Sequence, residues 1–109
     1  MNTQYILWLD DLRDPKDFIS GYDSRFVTWI KDHNSFVEYI SSGAMPDVVD
    51  FDHDLGEGKD GYDCAKFLVS WCIEHEVRLP IIRIHSANPV GRANIESLVN
   101  TYWKVHGKK

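Results

Sequence analysis

Seven acidic residues crowd one short stretch of this chain: Asp47, Asp50, Asp52, Asp54, Glu57, Asp60 and Asp63, with only Lys59 to offset them. Like charges so close repel unless solvent, a cation or a basic ligand relieves them. A second acidic pair, Asp10-Asp11, ends the apolar run that starts at Tyr5. Oxygen-rich clusters of this kind suit a hard ion, Mg²⁺ above all or Mn²⁺, and Mg²⁺ commonly completes its shell with a substrate phosphate. Asp10, Asp11, Asp52 and Asp54 are the candidate ligands. A third polar group follows at His85-Ser86-Ala87-Asn88-Pro89, with Arg92 and Asn94 just beyond. Asn88-Pro89 is a helix start, and a helix N-terminus presents free N–H groups to an anion. Ser86, Asn88 and Arg92, with Asn94 and His53, are therefore candidates for holding phosphate. His85 suits proton transfer. No HxH or HExxH spacing supports a zinc site.

Plainer roles compete at several of these positions. Asp10 or Asp11 suits a loop cap, and Asp54 suits a turn. Asp47, Glu57, Asp60 and Asp63 fit surface or capping positions better than ligand positions. Arg92 and Asn94 also fit an exposed helix face. Asp50 sits inside an apolar strand, where it would face a gap or a partner, and no specific role is assigned to it.

Strands are needed to bring these groups together. Tyr5 to Leu9, Phe26 to Ile30, Val48 to Asp52 and Pro80 to His85 are short apolar runs expected to be buried strands. Asp14-Pro15 offers a helix start, although the stretch from Asp17 to Ser24 is too polar for a long helix. Ser35 to Glu38 fits a capping box, with Phe36, Val37 and Ile40 on one face and Gly43 closing the helix. Asp60 caps a helix whose stripe is Ala65, Leu68, Val69 and Cys72. Ile95, Leu98, Val99, Tyr102 and Trp103 mark the last helix. The order β-α-β-α-β-α-β-α predicts a parallel sheet with helices on both faces. Ligands bind such sheets beyond the carboxyl ends of the strands, where Asp10-Asp11, Asp52-His53-Asp54 and His85-Ser86 would converge.

The bulk composition agrees with one small domain spanning residues 1–109. The 109 residues are 43% hydrophobic and 27% charged, ordinary values for a globular protein. The net charge of -5 argues against a broad nucleic-acid groove. No apolar run reaches the ~20 residues of a membrane span, and no signal peptide is expected. Cys64 and Cys72 lie about 12 Å apart along a helix, too far to bridge, as suits reduced core residues in the cytoplasm.

Several segments carry a resemblance. Asp10-Asp11, the run from Pro46 to Leu55 with Asp52 at the phosphoacceptor position, Asp60-Gly61 and the run from Leu79 to Ser86 resemble response-regulator receiver domains. The resemblance implies a small, truncated receiver-like (flavodoxin-like) three-layer α/β domain with a four-stranded parallel sheet in the order 2-1-3-4. His85 stands where receivers carry a hydroxyl, and the fifth strand, its terminal Lys and the fifth helix have no counterpart. A narrower set is similar to the cyclic-phosphate processing receiver domains: Trp8 to Pro15, Phe51 to Gly56, and His85 to Ile95. That resemblance implies a small phosphorylated ligand, either a cyclic nucleotide or an RNA cyclic-phosphate end. The expected activity is metal-dependent hydrolysis, with His85 and Asp52 as catalytic groups. A non-catalytic nucleotide or phosphate binder and a phosphoacceptor receiver are the alternatives.

Overall fold

The structure is a computed structural model that describes residues 4–107. Four short strands form one parallel sheet: β1 (Ile6–Leu9), β2 (Val27–Ile30), β3 (Val48–Phe51) and β4 (Ile81–Ile84), in the order β2-β1-β3-β4. Three α-helices follow the last three strands: α1 (His33–Ser41), α2 (Gly61–His75) and α3 (Pro89–His106).

Side chains alternate across a strand, so the register divides the sheet into two unlike faces. Leu7, Leu9, Ile30, Val49 and Phe51 point one way. They share a single core with Phe36 and Ile40 of α1, Leu68 and Cys72 of α2, and Ile95 and Tyr102 of α3. All three helices therefore lie against this face. The expectation of helices on both faces is corrected, and the reason lies between β1 and β2. Asp14-Pro15 does start a helix, but it stops after one 3₁₀ turn, Pro15–Asp17. A second 3₁₀ turn, Ser24–Phe26, leads into β2. The polar, glycine-containing sequence from Asp17 to Ser24 has no apolar stripe with which to extend that turn. The third layer is thus irregular chain. Pro15 is buried, Phe18 stacks on Trp8 with ring centroids 5.9 Å apart, and Phe26 packs on Tyr5.

Helix starts follow local rules. Asp60 accepts from the Asp63 N–H while Asp63 accepts from the Asp60 N–H, a reciprocal capping box for α2. Asn88 caps α3 with Pro89 in its first turn. The expected cap of α1 at Ser35 is corrected to Asp32, whose carboxylate accepts from the Ser35 N–H at 2.8 Å. The two cysteines are buried and unbridged, and burial raises the Cys72 thiol to about 11, so both are inert core residues. Among the described residues no helix is long and apolar enough to cross a membrane.

Candidate functional site

The hydrogen-bond ladder runs one residue past each of three strands. The Asp10 N–H donates to Ile30 O at 3.0 Å, the Asp52 N–H to Leu9 O at 2.9 Å and the His85 N–H to Phe51 O at 2.9 Å. These bonds hold residues 10, 52 and 85 side by side at the carboxyl edge. Each lies two residues beyond a residue on the thinly covered face of the sheet, namely Trp8, Asp50 and Arg83. Period-two alternation therefore sends all six side chains to the same side.

His85 is the centre of the cluster. Its Nε2 lies 2.9 Å from Asp10 Oδ2 and its Nδ1 2.7 Å from Asp50 Oδ1. A neutral imidazole has one donor nitrogen. Two carboxylate partners therefore favour the doubly protonated ring. Burial alone would lower the His85 pKa, but hydrogen bonds to Asp50 and then Asp10, with their charges, carry it above its ordinary value. The ring also lies flat on Trp8, with centroids 3.9 Å apart and planes within 3°, an arrangement that favours a cation over the indole face.

Asp10 is 1% exposed. Its Oδ1 accepts from the N–H groups of Leu12 and Arg13, both at 2.8 Å, so its carboxylate is fixed from below by the chain that follows it. Trp8 Nε1 donates to Arg13 O, and Trp29 Nε1 donates to Asp10 O; two indoles thus pin this turn. Arg13 adds a cation 3.8 Å from Asp10 and donates to His85 O at 3.3 Å. Asp52 is 7% exposed. Burial raises its pKa above the ordinary carboxylate range and the Asp10 charge adds to this, while His85 and Arg13 oppose it.

Asp10, Asp52 and His85 each bring a ligand atom within 4.8 Å of the others. The two carboxylates fit a hard divalent cation by donor type, and such an ion would offset the burial and the Asp10 charge that raise Asp52. His85, with both nitrogens held by carboxylates, fits a charge partner better than a ligand, since ligation requires a free lone pair. Asp11 is half-buried and faces the loop after β3: a Cβ on Gly56 would sit 3.4 Å from Asp11 Oδ2. Asp54 is 68% exposed and lies 3.1 Å from His53 Nδ1, apart from the three-residue cluster.

The expected phosphate-binding residues divide. Ser86 is buried, and its hydroxyl accepts from the Asn88 N–H. Asn88 accepts from the Gly91 N–H, so this turn satisfies part of its own helix start. His53 lies between Asp54 and Asp60, with Asn88 Nδ2 at 3.4 Å, and joins the loop after β3 to α3. Arg92 turns away toward the edge of β4 and donates to Ile84 O at 3.0 Å. Asn94 is exposed. Sequence reasoning missed Asp50 as a partner of His85, and also Trp8 and Arg13. A signal for Asp50 was present: a charged residue inside an apolar strand needs a partner, and it lies two residues from Asp52.

The comparisons bear on the whole chain. Among solved structures, it is similar to the N-terminal domain of a response regulator/sensory box/GGDEF three-domain protein from Carboxydothermus hydrogenoformans, with 21% identity over 94% of this chain and 96% of that one and a TM-score of 0.59. It is also similar to a chain in which a trimeric coiled-coil segment of yeast Spc42 is fused to another structure, with 21% identity over 95% of this chain and 77% of that one and a TM-score of 0.63. At such identities the likeness is one of fold. No curated protein matches the sequence. A family model described as the cyclic-phosphate processing receiver domain matches residues 5–101. With that match over most of its length, and with four parallel strands in the receiver-like order, the chain belongs to the cyclic-phosphate processing receiver domain family.

Proposed function

We propose that the chain hydrolyses a cyclic phosphate, carried by a nucleotide, at the carboxyl edge of the sheet with the help of a divalent cation. The observation that carries the reading is an imidazole clamped between Asp50 and Asp10, beside the buried Asp52. Asp10 and Asp52 would hold Mg²⁺ or Mn²⁺, with Asp11 and Asp54 on the adjoining loops. When bound, such an ion supplies Lewis-acid polarisation of a phosphoryl oxygen. The chain's own groups do the rest. His85 presents a positive charge and a proton to the cyclic ester. Water adds to phosphorus, one ester P–O bond breaks, the freed oxygen takes a proton from His85, and the proton released by the attacking water restores the charge on the ring. Asp50 holds the ring in the orientation that makes this transfer possible. The product is a phosphomonoester. Ser86 and Asn88, at the turn beside His85, are the groups nearest in sequence to orient the phosphate.

One observation favours the non-catalytic reading. An imidazolium with both nitrogens engaged is a fixed cation, suited to holding an anion without turning it over. A panel of 2′,3′-cyclic and 3′,5′-cyclic nucleotides with Mg²⁺ or Mn²⁺ separates the two. The hydrolase reading expects a phosphomonoester from at least one member and loss of turnover in Asp52→Asn. Tight binding with unchanged ligand recovered is the binder's result. A stable acyl phosphate on Asp52 after treatment with acetyl phosphate would instead mark a phosphoacceptor.

A further inference from the structure

The site described above draws on three strands, and the fourth reaches the same edge. The Asp10 N–H donates to Ile30 O and so carries the ladder past the end of β2. Lys31 therefore stands beside Asp10, one strand spacing of about 4.8 Å away, on the side opposite Asp52. It lies two residues beyond Trp29, whose partner on β1 is Trp8. Alternation turns it to the thinly covered face with Asp10, Asp52 and His85. One contact agrees with this placement. Lys31 Nζ lies 4.3 Å from the centroid of the Trp29 ring, and the N–H of that ring donates to Asp10 O at 2.7 Å. Lys31 is exposed, but its head group rests by a cation–π contact on the indole that fixes the backbone of Asp10.

The charge of that head group is unanswered. Lys31 has no carboxylate partner among the described residues. Its neighbour Asp10 is already engaged: Oδ1 accepts two backbone N–H groups, and Oδ2 faces His85 and Arg13. Other candidates for an incoming anion are engaged too. Arg92 is bonded to Ile84 O, Arg13 to His85 O, and Ser86 and Asn88 to the turn that opens α3. In the sheet order Lys31 and His85 close the row, with Asp10 and Asp52 between them. Resting on the cyclic-phosphate reading above, we propose that Lys31 is a substrate-binding residue of this site. Its ammonium takes a non-bridging oxygen of the phosphate, across the two carboxylates from His85. The flexible four-carbon stem lets it pivot on the indole to do so. Lys31 keeps its proton throughout. Hydrolysis turns a singly charged cyclic diester into a monoester that is largely doubly charged at neutral pH, so this contact strengthens as the reaction proceeds.

The test sets wild type beside Lys31→Met, which keeps the stem and removes the charge, and Lys31→Arg, which restores a cation. Lys104→Met is the control. It removes the same charge about 22 Å down α3 from Pro89, well beyond the Debye length. With Mg²⁺ and a cyclic nucleotide that wild type hydrolyses, kcat/KM should fall about tenfold or more in Lys31→Met, as for one charge-assisted contact. Lys31→Arg should recover most of the loss, and Lys104→Met should stay near wild type. The Kd for Mg²⁺ alone should not weaken in Lys31→Met, since removing a cation relieves repulsion of the ion. A loss no larger than in Lys104→Met, no recovery in Lys31→Arg, or a weakened Mg²⁺ Kd overturns the proposal. The last would mean that Lys31 acts only through the packing of Trp29 against Asp10. If wild type hydrolyses no cyclic nucleotide, the hydrolase reading fails by itself, and calorimetric Kd values for 2′,3′-cyclic and 3′,5′-cyclic nucleotides decide the role of Lys31. Binding that weakens in Lys31→Met and not in Lys104→Met supports it. Equal binding by the variants, or none by wild type, overturns it.

Discussion

A carboxylate inside an apolar strand must find a proton, a cation or a donor, and Asp50 finds the ring of His85. The consequence is a pH dependence with a definite sign. The folded pKa of His85 lies above its ordinary value. The stability from its two carboxylate contacts is therefore fully present below the unfolded pKa of about 6.5 and is lost as pH rises through the folded one. In an NMR titration the His85 ring protons should show a midpoint above that of an unstructured peptide, and Asp50→Asn should move it down. Urea unfolding should show Asp50→Asn costing about 1–3 kcal/mol at pH 6 and less at pH 9. A cost independent of pH would mean that the ring is not charged. Asp52 runs the other way. Its folded pKa is raised, so its ionised form opposes folding above that value, and the penalty is relieved as pH falls toward the unfolded pKa. Without divalent ions at neutral pH, Asp52→Asn should therefore raise Tm, by about 4–8 °C for each kcal/mol relieved. A lowered Tm would show that burial of the charge is already compensated.

At the scale of the element, glycine sets how closely the helices approach the site. A Cβ on Gly61 would lie 1.9 Å from the carbonyl oxygen of Asp52, which is backbone and cannot swing aside. Gly61→Ala should destabilise the fold by about 1–3 kcal/mol or more in urea unfolding and displace Asp52 with it. A Cβ on Gly91 would strike the His53 ring, 2.2 Å from Cγ. That ring belongs to a side chain that can swing aside about its Cα–Cβ bond, so Gly91→Ala should cost less stability while breaking the His53 contacts to Asp60 and Asn88. Equal costs for the two changes would contradict this distinction. Much at this scale was legible in sequence. The four apolar runs became the four strands, and Asp60 and Asn88-Pro89 became caps. The start of α1 was misplaced because Asp32 and Ser35 are both good caps and local pattern does not rank them. The missing first helix was half legible, since Asp14-Pro15 signals a start that only an apolar stripe could have continued. The Asp50–His85 pair was hidden because it joins two strands 35 residues apart, and single-strand patterns say nothing about which neighbour a side chain meets.

At the scale of the molecule, the sheet keeps its helices on one face and leaves the other to irregular chain, with the acidic edge at one end. Buried Asp10 and Asp52, in a chain of net charge -5, are the groups on which the proposed divalent-cation site rests. Saturating Mg²⁺ should raise the Tm of wild type, about 2.7 kcal/mol of stabilisation at a hundredfold excess over Kd, and should do far less for Asp52→Asn. An equal rise in both would assign the ion to some other carboxylates. The central claim, that this edge hydrolyses a cyclic phosphate, is tested most directly by ³¹P NMR of a 2′,3′-cyclic nucleotide, or a dinucleotide ending in one, incubated with the protein and Mg²⁺. The predicted result is conversion of the cyclic-phosphate resonance to that of a phosphomonoester by wild type and its persistence with Asp52→Asn. Persistence with wild type, or equal conversion by both proteins, would contradict the account.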